Sequence, residues 1–167
     1  LVSTKANPDG SESPYELNVT YASALSEPGN PDLGRRRFLC SQIVALSLQG
    51  VPAVYLPSLF GAPNDSAGVE RTGRNRSINR QKWDMDDLRD RLSPGGPFHE
   101  TFEEYLRVLR RRAGHPAFHP SAGQTVHAIA DEFFVVERFG GEQRILCVFN
   151  FTPSRRSFRE WTKVPAF

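Results

Sequence analysis

Several features that assign a protein to a particular environment are scarce in this chain. Only two cysteines occur, Cys40 and Cys147, and each lies within a short apolar run, so we expect two buried free thiols and no disulfide. No apolar run approaches the roughly 20 residues of a membrane-spanning helix, and the first residues lack a signal-peptide pattern. We therefore expect no membrane association and a cytoplasmic location.

An excess of charge of one sign is also lacking. The chain has 21 Lys and Arg against 19 Asp and Glu, a net charge of +2, which argues against a general nucleic-acid-binding surface. Lysine is scarce, so most of the positive charge is arginine, whose forked guanidinium favours oriented hydrogen bonds. The only methionine is Met85 and the first residue is Leu1, so we expect the chain to be a fragment.

Motifs for metals, nucleotides and nucleophilic catalysis are missing as well. The four histidines have no metal-ligand spacing, and neither a glycine-rich phosphate loop nor a Ser-His-Asp set can be assembled. The acidic segment 84–90 lacks the glycine and terminal glutamate of an EF-hand and is more typical of the first turn of a short helix. We therefore expect no metal and no cofactor.

The chain nevertheless has the periodicity of a folded α/β protein. Helical spacing of apolar residues predicts one helix over 35–50, with Gly50 as its C-terminal cap, and another over 97–112. The run 51–56 is apolar without alternation, which favours a strand buried on both faces, as in a parallel sheet. Residues 1–34 are rich in Pro, Gly, Ser and Asn and predict irregular structure.

The pattern changes after residue 118 to short segments typical of antiparallel strands. A glycine pair, Gly140–Gly141, predicts a hairpin turn between two of them. The predicted strands are 124–130, 133–139, 143–151 and 156–161. The sequence thus predicts the end of an α/β domain followed by a small antiparallel β unit.

The loop GRNRSINRQKW (73–83) concentrates arginine and asparagine in a chain of almost no net charge. It follows the predicted buried strand along a polar loop, and ligands bind at the carboxyl ends of strands in α/β folds. A guanidinium can hold two vicinal hydroxyls or a phosphate through paired hydrogen bonds. A solvated surface and a nucleic-acid patch are the alternatives, and the second requires binding that weakens steeply with salt.

Four segments carry a family resemblance, namely PYELNVTYASAL (14–25), GVPAVYLPSLFG (50–61), GVERTGRNRSINRQKW (68–83) and HPAFHPSAGQ (115–124). In this order and spacing they resemble the second half of the sucrose-phosphorylase-like branch of the α-amylase superfamily, glycoside hydrolase family 13. That branch includes sucrose, sucrose 6′-phosphate and glucosylglycerate phosphorylases. GVPAVY alone marks α-amylase-type barrels in general, whereas ELNVTY and GRNRSINR are far more specific to this branch.

The resemblance implies an α/β fold class, the terminal portion of a (β/α)₈ TIM barrel followed by a small antiparallel β-sheet domain. Residues 1–34 would be the remnant of an insertion after barrel strand 7. Residues 35–115 would be helix 7, strand 8 and helix 8 of the barrel. Residues 116–167 would be the C-terminal β domain.

The resemblance also implies the activity of a retaining α-glucoside phosphorylase. Such an enzyme transfers a glucosyl unit from sucrose or a related α-glucoside, through a covalent intermediate, to phosphate and gives α-glucose 1-phosphate. Arg76 matches the arginine that anchors the glucose ring, and Tyr15 and Glu16 match a mobile loop that faces the acceptor. The residues expected to support these loops are Asn18, Arg74 and Arg80. The partners implied are a small-molecule α-glucoside and inorganic phosphate as co-substrate.

The family's nucleophile, its acid/base glutamate and its third carboxylate have no counterpart in this sequence, so the chain alone is expected to be inactive. A hydrolase or transglucosidase of the same superfamily and a non-catalytic carbohydrate-binding module stay open as alternatives. The single buried parallel strand argues against an independent module because its edges would be unpaired. We expect such a chain to form a homodimer or to associate with the missing barrel portion.

Overall fold

The computed structural model describes residues 1–158 of the chain. Its helices are α1 (Tyr21–Ala24), α2 (Pro31–Ser47), α3 (Ser66–Thr72), α4 (Met85–Leu92) and α5 (His99–Ala113). Its strands are β1 (Val2–Ala6), β2 (Glu12–Leu17), β3 (Gly123–His127), β4 (Phe133–Gly140) and β5 (Gln143–Asn150). Strands β1 and β2 form a two-stranded hairpin, and β3, β4 and β5 form a separate antiparallel sheet.

Helices α2 and α5 pack together around the main core. Helix α2 begins at Pro31 after Asn30, whose side-chain oxygen accepts a hydrogen bond from the Leu33 amide at 3.1 Å. Its buried positions recur at helical spacing and face α5, so apolar burial holds the two helices together. The buried side chains of this core are Phe38, Leu39, Leu46 and Tyr105. The two long helices predicted from periodicity are therefore confirmed, although α2 ends before Gly50.

A second core holds the polar loop that precedes α4. Trp83 packs edge-on against Phe60 and Phe98, with ring centroids 5.5 and 5.4 Å apart. The short helix predicted from the acidic segment is α4, whose N-cap Asp84 accepts hydrogen bonds from two backbone amides at 2.9 and 3.2 Å. This core and its caps order a stretch of chain that composition alone marks as loop.

The antiparallel β unit confirms the predicted change in architecture. Strand β4 is central, and Val135 and Val136 are both fully buried although they point to opposite faces of the sheet. Gly140 pairs with Gln143, so the turn between β4 and β5 consists of Gly141 and Glu142, one residue later than predicted. Gly141 has a φ of +58°, a conformation that glycine adopts without a steric cost.

The predicted strand over 51–56 is not formed. Residues 51–55 have no regular structure, and within residues 1–158 they have no strand as a neighbour. Exposure alternates, because Val54 packs against the α2–α5 core while Val51 is 82% exposed and Tyr55 is 56% exposed. The physical reason is that a strand needs backbone partners on at least one edge, and these residues have none in the described chain.

The prediction of irregular structure over 1–34 is wrong for its first half. Strand β1 pairs with β2 from Val2 opposite Leu17 to Ala6 opposite Glu12, with a bulge between Ser3 and Thr4. The Gly10 amide donates to the Asn7 carbonyl at 3.0 Å, and Gly10 has a φ of +82°. An Asn-Pro-Asp-Gly turn therefore closes a hairpin that the overall composition hid.

The last predicted strand, 156–161, lies only partly within the described residues. Residues 156–158 are not in a strand, and residues 159–161 lie outside the described residues. The domain boundaries after residues 34 and 115 stay predictions.

The described part of the chain contains no helix that is long and apolar enough to cross a membrane. Cys40 and Cys147 are free, as predicted, and both are half-buried. Burial raises the pKa of both thiols above the usual value for cysteine.

Candidate functional site

The β1–β2 hairpin projects two predicted site residues from its second strand. Ser3 pairs with Glu16 and Thr4 with Pro14, so Tyr15 is the extra residue of the bulge, where the regular alternation of side chains is interrupted. Tyr15 is 62% exposed, and the Glu16 side chain is 32% exposed. The hairpin is closed at its base, where the Asn18 amide donates to the Leu1 carbonyl at 2.6 Å.

The arginine-rich loop is built by a capped helix followed by a tight turn. Asp65 caps α3 by accepting a hydrogen bond from the Gly68 amide at 2.8 Å. A side chain on residue 68 would collide with the Asp65 carboxylate, since an added Cβ would lie 2.1 Å from Oδ2. Gly73 ends α3 with a φ of +64°, and a 3₁₀ turn, Asn75–Asn79, follows.

Two contacts hold this turn against the rest of the molecule. Ile78 is buried, and its carbonyl accepts a hydrogen bond from the Asp65 amide at 2.8 Å. The Thr72 and Ser77 hydroxyls lie 2.6 Å apart, which links α3 to the turn directly. Arg76 therefore leaves a fixed backbone although its side chain is half exposed.

The central contact of the candidate site is an ion pair between the hairpin and the loop. Arg76 Nε donates to Glu16 Oε2 at 2.7 Å, across 60 positions of sequence. The Glu16 carboxylate, with a smaller contribution from Tyr15, raises the pKa of the Arg76 guanidinium. The structure thus brings together Arg76, Glu16 and Tyr15, which the sequence analysis selected on separate segments.

The other three predicted site residues have different environments. Asn18 is fully buried, and its side-chain nitrogen donates to Ser3 Oγ at 2.8 Å, inside the hairpin base and away from the open surface. Its side-chain oxygen has no hydrogen-bond partner among the described residues. Arg74 and Arg80 flank the 3₁₀ turn, and both side chains are exposed and make no hydrogen bond to residues 1–158 that would occupy them.

Residues that sequence reasoning did not select join the hairpin side of the site to the loop side. The Thr20 amide donates to Asn64 Oδ1 at 2.8 Å, and the Asn64 amide donates to Ser23 Oγ at 2.9 Å. Tyr55 Oη donates to the Asn79 carbonyl at 2.9 Å. The sequence Asn64-Asp65 does indicate such contacts, because Asn and Asp in a loop commonly accept hydrogen bonds from backbone amides.

A cavity of about 220 Å³ lies beside these contacts, bordered by Thr20, Tyr21, Tyr55 and Asn79. The Asn79 side-chain oxygen is buried and has no partner among the described residues, so it is free to accept a hydrogen bond. Aromatic rings, hydroxyls and the Asn79 amide border this cavity, and such groups bind the hydroxyls and the apolar faces of a sugar ring.

The groups described at this site are hydrogen-bonding side chains and one ion pair. No group of three or more His, Cys, Asp and Glu side chains is placed to hold a metal ion within residues 1–158. The carboxylate beside Arg76 is Glu16, which is already paired with that guanidinium. The arrangement is therefore suited to orienting a polyhydroxylated ligand.

Comparison with known proteins gives a consistent set of relatives. The chain is 41% identical over 155 residues to the glucosylglycerate phosphorylase of Allomeiothermus silvanus and 38% identical over 148 residues to that of Escherichia coli. These matches cover 90% and 87% of the chain but only 28% and 26% of the two enzymes. The sucrose phosphorylase of Agrobacterium vitis is 31% identical over 107 residues. No protein-family model matches the chain.

A solved structure shows the same fold. The crystal structure of the sucrose 6F-phosphate phosphorylase from Thermoanaerobacter thermosaccharolyticum matches with a TM-score of 0.71 at 19% identity. The match covers 90% of this chain and 29% of that one. The helices and the antiparallel β unit described above are therefore a part of the fold of that enzyme.

Proposed function

We propose that this chain is a segment of a retaining α-glucoside phosphorylase, because it is related to the sucrose-phosphorylase-like branch of the α-amylase superfamily. It spans 26–28% of the length of its glucosylglycerate phosphorylase relatives. The segment would contribute one wall of the glucoside site. The observation that carries the proposal is the Arg76–Glu16 ion pair, which joins the two motifs most specific to the branch.

Glucosylglycerate is the substrate that the similarities favour. Identity to the glucosylglycerate phosphorylases is 38–41% over 87–90% of the chain. Identity to the sucrose and sucrose 6F-phosphate phosphorylases is 31% and 24% over 64% and 62% of the chain. The proposed reaction converts glucosylglycerate and phosphate to α-glucose 1-phosphate and glycerate. The glucosyl group is transferred first to an enzyme carboxylate, which releases glycerate, and then to phosphate.

Arg76 would orient the glucose ring. A guanidinium offers five N–H donors, and the contact with Glu16 uses the one on Nε, so the terminal nitrogens remain for two neighbouring hydroxyls. Fixing a ring against the reacting groups removes part of the entropic barrier to the reaction.

Glu16 and Tyr15 would face the leaving acceptor. The Glu16 carboxylate is held by Arg76, so a change at either residue moves both sides of the site. A negatively charged acceptor such as glycerate would be repelled by a free carboxylate, and pairing with Arg76 offsets that charge. Arg74 and Arg80 are exposed nearby on the same turn and supply positive charge for phosphate or for the acceptor carboxylate.

The test is a chimeric enzyme. We would replace the 148 matched residues of the Escherichia coli glucosylglycerate phosphorylase with the corresponding part of this chain and assay glucose 1-phosphate formation. The chimera is expected to be phosphate-dependent, whereas this chain alone should form no glucose 1-phosphate. Arg76→Gln should lower kcat/KM at least about tenfold, because a charged hydrogen-bond donor is lost.

Arg71→Gln is the matched control, since Arg71 lies on α3 of the same loop, is 70% exposed and comes no closer than 3.9 Å to the Asp65 carboxylate, too far for a hydrogen bond. It should leave kcat/KM within about twofold of the parent chimera. Release of free glucose without dependence on phosphate would instead identify a hydrolase. Equal loss of activity in both arginine variants would contradict the role proposed for Arg76.

A further inference from the structure

An open cleft lies where α5 meets the β unit, far in sequence from the glucoside-site residues. We propose that this junction cleft binds inorganic phosphate or a phosphate monoester. Its volume is about 850 Å³, within the range of small-molecule sites. It is lined by the end of α5, by the segment 115–123 and by the β4–β5 turn.

The lining of the cleft contains a cationic side chain and no carboxylate. Arg112, His115 and His119 are among its residues, and no aspartate or glutamate is. Arg112 also lies near Arg138, and the two guanidinium carbons are 5.9 and 5.7 Å from the centre of the Phe118 ring. Neither arginine forms an ion pair with a carboxylate among residues 1–158. Positive charge beside the cleft is thus uncompensated by the described chain.

Arg138 is the buried member of this pair. It is 0% exposed and donates to backbone carbonyls of Ser47, His119 and Gly123 at 3.0–3.2 Å. Burial, and then the charge of Arg112, lower the pKa of Arg138. The two guanidinium groups of Arg112 and Arg138 repel each other. An anion in the adjacent cleft would offset this repulsion with a negative charge.

Arg112 is the member that reaches the cleft with free donors. Its Nε donates to the Leu46 carbonyl at 2.9 Å and its Nη2 to the Gly50 carbonyl at 3.2 Å. These two bonds fix the plane of the guanidinium and leave three of its five N–H groups for a ligand. A pre-oriented guanidinium is well suited to the tetrahedral oxygens of phosphate.

The histidines add further polar groups. His119 Nδ1 lies 2.7 Å from Ser121 Oγ and 3.3 Å from the Ser121 amide nitrogen. These contacts engage Nδ1, so Nε2 is the ring nitrogen that remains for a ligand in the cleft. His115 is exposed, and its ring makes no hydrogen bond to the described part of the chain.

One feature of the cleft acts against an anion. The C-terminal end of α5 carries the negative end of the helix dipole. Its terminal carbonyls are occupied, since the Gly114 amide donates to those of Arg110 and Arg111 and the His115 amide to that of Arg112. Arg112, the arginine of this last turn that lines the cleft, carries a full positive charge that exceeds the partial dipole charge of about 0.5.

The test is a titration of the full chain with inorganic phosphate and, separately, with glucose 1-phosphate, by calorimetry at constant ionic strength. Arg112→Gln should weaken phosphate binding at least about tenfold. The double variant His115→Gln/His119→Gln should weaken it as well, and these exposed side chains can be changed without disturbing the core. Circular dichroism of each variant checks that it folds.

Arg111→Gln is the matched control, because it changes the charge equally on the neighbouring residue, which is exposed and does not line the cleft. It should bind phosphate like the parent chain, and so should Arg76→Gln. Equal weakening in Arg111→Gln would reduce the effect to general charge and overturn the proposal. Loss of phosphate binding in Arg76→Gln alone would show that the anion binds at the glucoside site and would overturn the proposal. A parent chain that binds no phosphate would overturn the proposal as well. None of these outcomes depends on phosphorolysis by the chimera.

Discussion

At the scale of single residues, buried charges are held by several partners. Glu137 on β4 is buried and accepts a hydrogen bond from Arg144 on β5 at 2.8 Å and contacts His127 Nε2 on β3 at 3.0 Å. Burial acts to raise the pKa of Glu137, but the contacts with Arg144 and His127 outweigh it, and the pKa is lowered from 4.5. One carboxylate thus links all three strands of the sheet.

This lowered pKa predicts a dependence of stability on pH. The unfolded chain binds the proton more readily, so the ionised Glu137 stabilises the fold above about pH 4.5, and this contribution is lost as the pH falls through the lower folded pKa. Glu137→Gln should lower the free energy of unfolding by about 2 kcal/mol at pH 7, and the difference should shrink below pH 4.5. Urea unfolding at a series of pH values measures both.

Glu142→Gln provides the control, because Glu142 is exposed in the β4–β5 turn. Its effect should be within about 0.5 kcal/mol at every pH. A destabilisation by Glu137→Gln that stays constant down to pH 3 would contradict the role of ionisation.

At the scale of elements, helix caps decide where the candidate site residues lie. Asp65 caps α3, and its amide also donates a hydrogen bond to the Ile78 carbonyl of the turn that carries Arg76. A single residue therefore fixes the helix and the turn relative to each other. The sequence N-D-S at 64–66 has the pattern of a helix N-cap, although the loop around it is polar throughout.

Asp65→Ala should destabilise the protein by about 1 kcal/mol, the usual cost of losing an N-cap. Because the turn moves with the cap, hydrogen exchange should rise at the amides of the turn as well as at Gly68. Glu70→Ala is the control, since Glu70 is exposed on the same helix. Similar exchange in both variants would mean that the cap does not hold the turn.

The elements also show which parts of the fold are local enough to be predicted. The helices α2 and α5, the short helix α4 and the β unit follow from periodicity and caps within the sequence, and all are present. The hairpin at 2–17 is not predicted because the composition of residues 1–34 as a whole hides the local Asn-Pro-Asp-Gly turn signal. The 51–56 strand was wrong because pairing depends on neighbours that a local pattern cannot supply.

The candidate site shows the same division. Arg76, Glu16 and Tyr15 were selected through family-like motifs, and the structure places them in contact or close together. The hydrogen bonds of Asn64 and Tyr55 that join the two sides link positions up to 44 residues apart. Residue type shows that Asn64 is suited to accept a hydrogen bond from a backbone amide, but which amide it meets depends on the folded arrangement.

At the scale of the whole molecule, the segment 51–56 leaves an apolar surface uncovered. Val51, Tyr55 and Leu56 are 82%, 56% and 67% exposed, and they lie beside backbone that pairs with no strand in residues 1–158. Proteins rarely leave apolar side chains next to unpaired backbone without a partner, because both favour association. The chain spans only 26–28% of its glucosylglycerate phosphorylase relatives, whose remaining length could cover this surface.

We therefore expect the isolated chain to self-associate at micromolar concentrations through this segment. Val51→Lys combined with Leu56→Lys should shift the species towards the 18.8 kDa monomer, because two charges would be buried on association. Met85→Lys on α4 is the control, since Met85 is 59% exposed and lies on another element. Light scattering after size exclusion measures the mass. A parent chain that stays monomeric would show that the 51–56 surface does not drive association and that its unpaired backbone is stable in water. A Met85→Lys control that dissociates as much as the double variant would contradict the role of this surface.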